Sequence, residues 1–452
     1  MARTTPPDDS RDLPTGGWRR GARLLSLPLG AAGRATSRLG QRLTGTSKEE
    51  ADAAVRQRAA EQLFTVLGEL KGGAMKVGQV MSLMESALPE EVAEPYRRHL
   101  RQLQDSAPPM PLSRVHAVLA KEIGHDWREL FDEFGSRPAA AASIGQVHKA
   151  TWRATGEPVA VKVQYPGADE ALRSDLAQLS KLAHLAGPLA GAIDIDPLVA
   201  ELTERVGEEV DYQLEAANQT AAADAFAGHP DFMVPRVLHH TRRVIVSQWV
   251  EGDPLLSITD APDEVRNRWG LAYVRFLFSG PEAAGILHGD PHPGNFKLLP
   301  DGRLGVIDFG LVSRLPDGLP RSIGRLLSIA LRGDAEEVAA GLRAEGFVSG
   351  DIDAHDLLDF LGPFVEPAKQ VEFHFTRDWM RGEFARVRSA SGRGQVGTRI
   401  NLPPGYLLIH RVWLGGIAVL AQLDVRANFG EVLAESLPDF VPLESDEISE
   451  TG

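Results

Sequence analysis

The stretch HGDPHPGNF, residues 288–296, decides the fold together with IDFG at residues 307–310. Two glycines and two prolines within nine residues exclude a regular helix or a strand interior, so this stretch is predicted to be a loop. The loop holds Asp290 and Asn295, and Asp308 follows at the end of a predicted strand. An aspartate in a constrained loop can orient an attacking hydroxyl, whereas an asparagine amide and a strand-end carboxylate suit Mg²⁺.

This division of roles is the pattern H-x-D-x-x-x-x-N followed by D-F-G, which protein kinases use for phosphate transfer. Such a site also needs a cation on the phosphates. Lys162 lies within the apolar run VAVK, where an ammonium group is costly unless it is paired. The later segment EEVDYQLEAAN offers Glu209, Asp211 and Glu215 as acidic partners on a predicted helix.

An alanine-rich stretch stands where a kinase usually has a glycine-rich loop over the phosphates. In PAAAASIGQVHKA, residues 138–150, we expect Ala140, Ala141, Ala142 and Ser143 to form the nucleotide-binding loop. Alanine is less permissive than glycine at positive φ, so this loop is predicted to be stiffer than a glycine-rich one.

The segment RVIVSQWVEGDP is predicted to be the strand that leads into the hinge between two lobes. From this position, we expect Gln248 to Val250 to offer backbone hydrogen bonds to adenine.

The order of predicted helices and strands indicates an α+β protein, and the kinase-type motifs indicate a bilobed, protein-kinase-like fold. Helical patterns come first, two strands joined by a turn follow at 145–167, and a mostly helical region extends from about 320. The expected division is a basic flexible segment at 1–46, a helical extension at 47–135, an N-lobe with inserted helices at 136–250, a helical C-lobe with the catalytic loop at 251–437 and an acidic tail at 438–452.

Charge and composition exclude several classes of protein. The net charge is −14, but residues 1–45 carry +5, so the remainder carries −19 and is a poor candidate for binding nucleic acid. The chain has no cysteine, which excludes disulfides, thiolate metal sites and a cysteine nucleophile. The apolar stretch VWLGGIAVLAQL at 412–423 is too short to span a bilayer and is predicted to be a buried helix.

In the order of its motifs, the chain resembles the UbiB family of atypical kinases, also called the ABC-one or aarF-domain family. The motifs are AAAAS, VAVK, EVDYQLEAAN, HGDPHPGN and DFG, preceded by KVGQ at 76–79. The resemblance covers about residues 47–435. It implies a kinase-like fold, binding of ATP and Mg²⁺, ATPase activity, and support for isoprenoid quinone or related lipid metabolism at membranes.

The resemblance also implies roles for individual residues. Lys162 would be the nucleotide lysine, with Glu215 as its salt-bridge partner. Asp290 would be the catalytic-loop aspartate, and Asn295 and Asp308 would be ligands of Mg²⁺.

Other implied features concern regulation and location. Lys76 and Gln79 would belong to a helical element that folds over the active site, and Glu209 and Asp211 would be the family's E-x-D pair. The implied partners are ATP and an isoprenoid or quinone lipid or its biosynthetic proteins. The protein would be cytoplasmic, with peripheral contact at the inner face of the membrane through the basic N-terminus.

Three alternatives stay open at this point. A small-molecule phosphotransferase of the aminoglycoside or choline kinase type shares an HGDxHPGN-like loop but usually lacks D-F-G and KVGQ. A pseudokinase-like scaffold would bind nucleotide without useful turnover. A metal hydrolase could use His288, Asp290 and His292 as ligands, but it leaves Asn295 and the D-F-G segment without a role.

Overall fold

A computed structural model defines the fold over most of the chain beyond residue 108. It describes residues 109–142, 144–168, 170, 210–348, 352–394 and 403–443. These residues form two lobes, one built on an antiparallel sheet and the other mostly helical. The prediction of a bilobed, kinase-like α+β fold is therefore confirmed.

The first lobe is built on a six-stranded sheet. Its helices and strands are α1 (Leu112–Glu122), β1 (Phe131–Phe134), β2 (Ala140–Ala142), β3 (Gly145–Trp152), β4 (Pro158–Gln164), α2 (Tyr212–Ala225), β6 (Val237–His240) and β7 (Val244–Gln248), with a 3₁₀ turn at Trp127–Leu130. The strands are ordered β1-β3-β4-β7-β6, and β2 pairs with β3. The two strands predicted within 145–167 are β3 and β4. The alanine stretch predicted as a loop includes the short strand β2, because its backbone pairs with the start of β3.

Strand β4 shows why Lys162 can sit in an apolar run. Val159, Val161 and Val163 are fully buried, and they belong to one core with Val115 and Leu119 of α1. Because side chains alternate along a strand, Lys162 points to the opposite face of the sheet.

A buried polar cluster joins the start of α1 to the sheet. The Gln146 side chain accepts a hydrogen bond from the Met110 amide at 2.8 Å and donates one to Nε2 of His148, also at 2.8 Å. The Nδ1–H of His148 donates to the Gly135 carbonyl at 2.8 Å. Burial lowers the pKa of His148, and the two contacts together require the neutral imidazole.

The second lobe packs around the long helix α3 and the apolar helix α9. Its helices are α3 (Asp263–Ala284), α4 (Arg321–Leu331), α5 (Ala335–Ala344), α6 (Ala354–Phe360), α7 (Gly362–Val365), α8 (Arg377–Gly394), α9 (Leu407–Leu423) and α10 (Phe429–Ser436), with 3₁₀ turns at Leu255–Ile258, Pro293–Asn295, Glu366–Ala368 and Pro404–Tyr406. Helix α9 contains the apolar stretch at 412–423 and is buried, as predicted. No helix among the described residues is long and apolar enough to cross a membrane.

Short strands of the second lobe hold the two motif-bearing loops. These strands are β5 (Phe232–Met233), β8 (Asp253–Pro254), β9 (Ile286–His288), β10 (Phe296–Leu298), β11 (Leu304–Val306), β12 (Val312–Arg314), β13 (Phe373–His374) and β14 (Arg426–Ala427). Strands β10 and β11 are antiparallel, with Phe296 opposite Val306. The Ile307 amide donates to the Asn295 carbonyl at 3.0 Å, so Asn295 and Asp308 lie close together at one end of this hairpin.

Candidate active site

Lys162 joins the two lobes through two carboxylates. Its Nζ lies 2.6 Å from Oε1 of Glu215 in α2 and 3.1 Å from Oδ2 of Asp308 after β11. The Glu215 side chain is 3% exposed and that of Lys162 is 15% exposed, so this pair is largely shielded from water, whereas the Asp308 side chain is 33% exposed. Residues that are 53 and 146 positions away from the lysine in sequence thus converge on one ammonium group.

The charge state of Lys162 follows from these neighbours. Burial alone would lower its pKa, but the carboxylates of Asp308 and Glu215 outweigh burial and raise the pKa of Lys162 well above its ordinary value. The ammonium also lies 5.1 Å from the centroid of the Tyr212 ring, which favours the cation. Lys162 is therefore a permanently charged group at neutral pH.

Gly145 lets α2 approach the sheet beside this cluster. A Cβ atom at this position would lie 2.4 Å from the Val163 carbonyl oxygen and 2.8 Å from the Tyr212 hydroxyl. The close packing of β3, β4 and the start of α2 therefore requires glycine here.

The loop that holds Asp290 and Asn295 is fixed by hydrogen bonds within the loop and by one from helix α3. Nδ2 of Asn295 donates to Oδ2 of Asp290 at 3.0 Å and to the Asp290 carbonyl at 3.2 Å. The buried Tyr273 hydroxyl donates to the Pro291 carbonyl at 2.6 Å, and burial, together with the charge of Asp290, raises the pKa of that phenol well above its usual value. Because the amide nitrogen of Asn295 holds Asp290, its amide oxygen is the atom left to face a cation.

His288 connects this loop to the D-F-G segment. Its Nε2–H donates to the Asp308 carbonyl at 2.6 Å, and burial lowers the pKa of His288, which favours the neutral imidazole. The Gly310 amide donates to Oδ1 of Asp308 at 2.9 Å. On the other side, Nδ2 of Asn218 donates to the Phe309 carbonyl at 3.4 Å. The Asp308 carboxylate is thus held between Lys162 and the turn that follows it.

Arg411 is a site residue that sequence reasoning missed. Its Nη2 lies 2.9 Å from Oδ1 of Asp290, whose side chain is only 6% exposed. Arg411 belongs to α9, and the pair spans 121 positions in sequence. The position of Arg411 immediately before the apolar stretch 412–423 was the signal available, and it did not identify the partner.

In the predicted hinge, fewer backbone amides are available to bind adenine than the sequence predicted. The Gln248 amide donates to the Arg236 carbonyl, and the Trp249 amide donates to the Pro158 carbonyl, each at 3.0 Å. These amides are committed to the sheet. Among the described residues, the Val250 amide, which follows next in the chain, donates to no backbone acceptor.

The structure also locates the remaining predicted site residues. Ala140 and Ala141 are exposed and Ala142 is half-buried in the hairpin of β2 and β3. Asp211 caps α2, where its side chain accepts from the Gln213 amide, and it makes no ion pair with Lys162 among the contacts described. The predicted residues Lys76, Gln79, Ser143 and Glu209, the segment 1–46 and most of 47–135 lie outside the described residues.

The H-x-D-x-H stretch is not arranged as a metal site. His288 donates to the Asp308 carbonyl, Asp290 pairs with Arg411, and Nδ1 of His292 accepts from the Gly294 amide at 3.1 Å. Across the described residues, no group of three or more histidine, aspartate or glutamate side chains could hold a metal ion by itself. The metal-hydrolase alternative thus has no geometric support.

Comparisons with known proteins identify the family to which the chain belongs. The family model described as the ABC1 atypical kinase-like domain matches residues 102–342. A solved structure titled as the complex of Rv3197 with erythromycin, from Mycobacterium tuberculosis, is similar with a TM-score of 0.65 and 41% identity, over 87% of this chain and 99% of that one.

Two curated relatives are also similar. The chloroplastic protein ACTIVITY OF BC1 COMPLEX KINASE 3 of Arabidopsis thaliana is 31% identical over 85% of this chain and 53% of its own length. The mitochondrial atypical kinase coq-8 of Caenorhabditis elegans is 28% identical over 72% of this chain and 44% of its own length. The chain thus spans about half the length of the curated relatives it matches.

Proposed function

Since the chain belongs to the ABC1 (UbiB) family of atypical kinases, we propose that it is a Mg²⁺- and ATP-dependent kinase or ATPase. The observation that carries the proposal is the convergence of Lys162, Glu215 and Asp308 on one charge cluster between the lobes. A kinase needs such a lysine–glutamate pair and a D-F-G aspartate in place before it can transfer phosphate.

We assign the nucleotide to the space between the lobes. Lys162 would contact the α- and β-phosphates, and the hairpin of β2 and β3, with Ala140, Ala141 and Ala142, would cover them. Ser143 is proposed to bind the nucleotide as well. The free amide of Val250, rather than that of Gln248, would bind adenine, because the Gln248 amide already has an acceptor.

Asn295 and Asp308 are proposed to hold Mg²⁺. The set is one amide oxygen and one carboxylate, and Mg²⁺ is typically held by one or two carboxylates together with phosphate oxygens and water. The donor set therefore fits the ion when nucleotide completes the coordination. When bound, Mg²⁺ neutralises charge on the phosphates.

Asp290 is proposed to orient the attacking hydroxyl or water. Its carboxylate is held in place by Asn295 on one oxygen and by Arg411 on the other. A carboxylate fixed from two sides has the rigidity that positioning requires.

The regulatory and domain assignments are also part of the proposal. Lys76 and Gln79 would form the helical element over the active site, and Glu209 with Asp211 would form the E-x-D pair. The segments at 1–46, 47–135, 136–250, 251–437 and 438–452 would be the basic segment, helical extension, N-lobe, C-lobe and acidic tail.

The proposed biological role is support of isoprenoid quinone or related lipid metabolism. Support for this proposal comes from the relatives named ACTIVITY OF BC1 COMPLEX KINASE 3 and atypical kinase coq-8, whose names describe a chloroplastic and a mitochondrial kinase. We place the protein in the cytoplasm, in peripheral contact with the membrane through its basic N-terminal residues, and not on nucleic acid.

A direct test combines nucleotide binding with turnover. Calorimetry should show Mg²⁺-dependent ATP binding that Asp308→Asn abolishes, whereas Asp301→Asn, an exposed aspartate of the same lobe, should leave it unchanged. ATP hydrolysis should be measured with and without anionic liposomes and quinone-precursor phenols, with Asp290→Ala as the inactive control. Binding that persists in Asp308→Asn contradicts the metal assignment, and binding without any hydrolysis favours the scaffold alternative.

Macrolide binding is a second candidate function. The observation that favours it is the 41% identity to the M. tuberculosis protein solved as its erythromycin complex. Calorimetry should show saturable erythromycin binding to this chain. Mass spectrometry after incubation with Mg-ATP then distinguishes a bound ligand from a phosphorylated product, which would instead support the small-molecule phosphotransferase alternative.

A further inference from the structure

Helix α2 carries a second buried polar residue that faces the D-F-G segment. Asn218 follows Glu215 by three positions, so the two side chains share one face of the helix. Asn218 is 4% exposed. Its Nδ2 donates to the Phe309 carbonyl at 3.4 Å, and its Oδ1 accepts from Nη2 of Arg314 at 3.3 Å. Because a carbonyl can only accept and a guanidinium can only donate, the two contacts together fix the orientation of the amide.

The segment that Asn218 contacts is short and is attached to the second lobe. Phe309 is 1% exposed and belongs to the core of that lobe. Strand β12, which follows D-F-G, pairs with β9. Helix α4 begins at Arg321, so only residues 311–320 separate it from D-F-G. These described residues leave no long activation loop whose ordering could place Asp308, as phosphorylation of that loop does in protein kinases.

Helix α2 packs against both lobes, and Asn218 lies between the two contacts. Tyr212 and Ala216 belong to a buried cluster with the sheet, whereas Ala222 and Phe226 belong to the core of the second lobe. Apolar packing is not directional, so it does not by itself fix the position of the helix along its own axis. A hydrogen bond from a buried amide is directional, and it fixes this position relative to D-F-G.

We propose that Asn218 is a positioning residue of the phosphate-transfer site, an inference that rests on the proposed function. Its contact with the Phe309 carbonyl sets the position of α2 relative to D-F-G, so that Glu215 and Asp308 reach Lys162 together. Protein kinases need the lysine–glutamate pair and the D-F-G aspartate in place at the same time, and here one buried amide ties the pair to the aspartate.

Asn218→Leu tests this link, because leucine keeps nearly the size of asparagine and removes both hydrogen bonds. Hydrogen exchange is measured on the full chain without nucleotide, in the peptide that contains Phe309 and Gly310. In the wild type, the Gly310 amide donates to Oδ1 of Asp308. Its exchange should become about tenfold faster in the variant, because D-F-G loses its polar contact with α2.

Gln219→Leu is the matched control on the same helix. Gln219 is 2% exposed, and its Nε2 donates at 2.7 Å to the Pro235 carbonyl, which lies outside the D-F-G segment. This variant loses a buried hydrogen bond of the same kind and should lower the thermal stability at least as much as Asn218→Leu. It should leave Gly310 exchange at the wild-type rate. Equal exchange rates in the two variants, or a wild-type rate in Asn218→Leu, overturn the proposal.

Arg314→Met decides the matter if Asn218→Leu does not fold. Arg314 is exposed, so its replacement leaves the core intact and removes the donor to Oδ1 of Asn218. Gly310 exchange should then become about threefold faster, and Arg314→Lys, which restores a cationic donor, should recover part of the protection. In that case, an unchanged rate in Arg314→Met overturns the proposal.

The same variants have a defined effect on turnover. Asn218→Leu should lower kcat for ATP hydrolysis by about tenfold or more and raise the Mg²⁺ concentration that half-saturates ATP binding in calorimetry, because Asp308 is displaced. Gln219→Leu should change neither quantity. If exchange responds as expected and turnover does not, the positioning role is refuted. If the wild type hydrolyses no ATP at all, the proposed function fails, and the exchange data still decide whether Asn218 fixes the D-F-G segment.

Discussion

Replacing Glu215 by glutamine tests whether the buried ion pair with Lys162 stabilises the site. At 2.6 Å and an effective dielectric constant near 20, the attraction between the two charges is about 6 kcal/mol before desolvation is subtracted. Removing one partner of a buried pair typically costs about 3–5 kcal/mol. Because glutamine keeps an acceptor and Asp308 still faces the ammonium, we expect the free energy of unfolding to fall by about 2–3 kcal/mol.

Urea unfolding followed by tryptophan fluorescence measures this change, and ATP hydrolysis should fall by about a hundredfold as Lys162 loses its position. Glu251→Gln is the matched control, because Glu251 pairs with Lys149 at 3.2 Å but both side chains are well exposed. It should leave unfolding and hydrolysis unchanged. If Glu215→Gln unfolds like this control, the pair with Lys162 does not stabilise the protein and the reasoning is refuted.

The same pair has a defined pH dependence. The folded-state pKa of Lys162 is raised, so the stability gained from its charge is fully present below the unfolded lysine pKa, near 10.4, and is lost as the pH rises through the folded value. The difference in unfolding free energy between the wild type and Glu215→Gln should therefore stay constant from pH 7 to about pH 10 and narrow only above it. A difference that disappears near neutral pH would contradict this assignment.

Three further predictions concern other described residues. Arg411→Leu leaves the Asp290 carboxylate without its cation and should lower the unfolding free energy by about 2–3 kcal/mol and slow hydrolysis, with partial recovery in Arg411→Lys. Since the folded-state pKa of His148 is lowered, stability should fall as the pH drops below about 6.5, and pH-dependent unfolding of His148→Gln should show a shallower fall. Gly145→Ala should destabilise the protein markedly in thermal unfolding, whereas Gly382→Ala, where nothing lies within 4 Å of the added carbon, should not.

Much of the fold could be predicted because local patterns determine it. The strands β3 and β4 and the buried helix α9 follow from hydrophobic periodicity and turn residues. The alanine stretch is predicted to be a loop because it stands where a kinase has its glycine-rich loop. Its residues instead form the short strand β2, in which Ala140 lies opposite Val147 and Ala142 opposite Gly145 of β3.

The part of the candidate site around Lys162 was predictable, because a lysine in a buried strand has few structural roles other than pairing with an acid. A lysine inside a buried strand needs a carboxylate, and the sequence offered three acids near one helix start as its partners. The structure selects Glu215, because α2 begins at Tyr212 and Asp211 is used as its cap. Sequence reasoning did not anticipate that Asp308 also pairs with Lys162, since that contact depends on how the two lobes meet.

For helix α9, the sequence pattern predicts burial but not the contacts that its residues make. Its apolar composition predicts burial on all sides but does not say which group each face meets. Residues three apart share a face, so His410 and Trp413 both line an apolar cavity between α4, α5 and α9, while Arg411 is turned roughly 100° from His410 and reaches Asp290. One turn of this helix therefore lines an apolar cavity on one side and contacts the buried Asp290 carboxylate on another. Both contacts depend on chain segments far away in sequence, so only the folded structure reveals them.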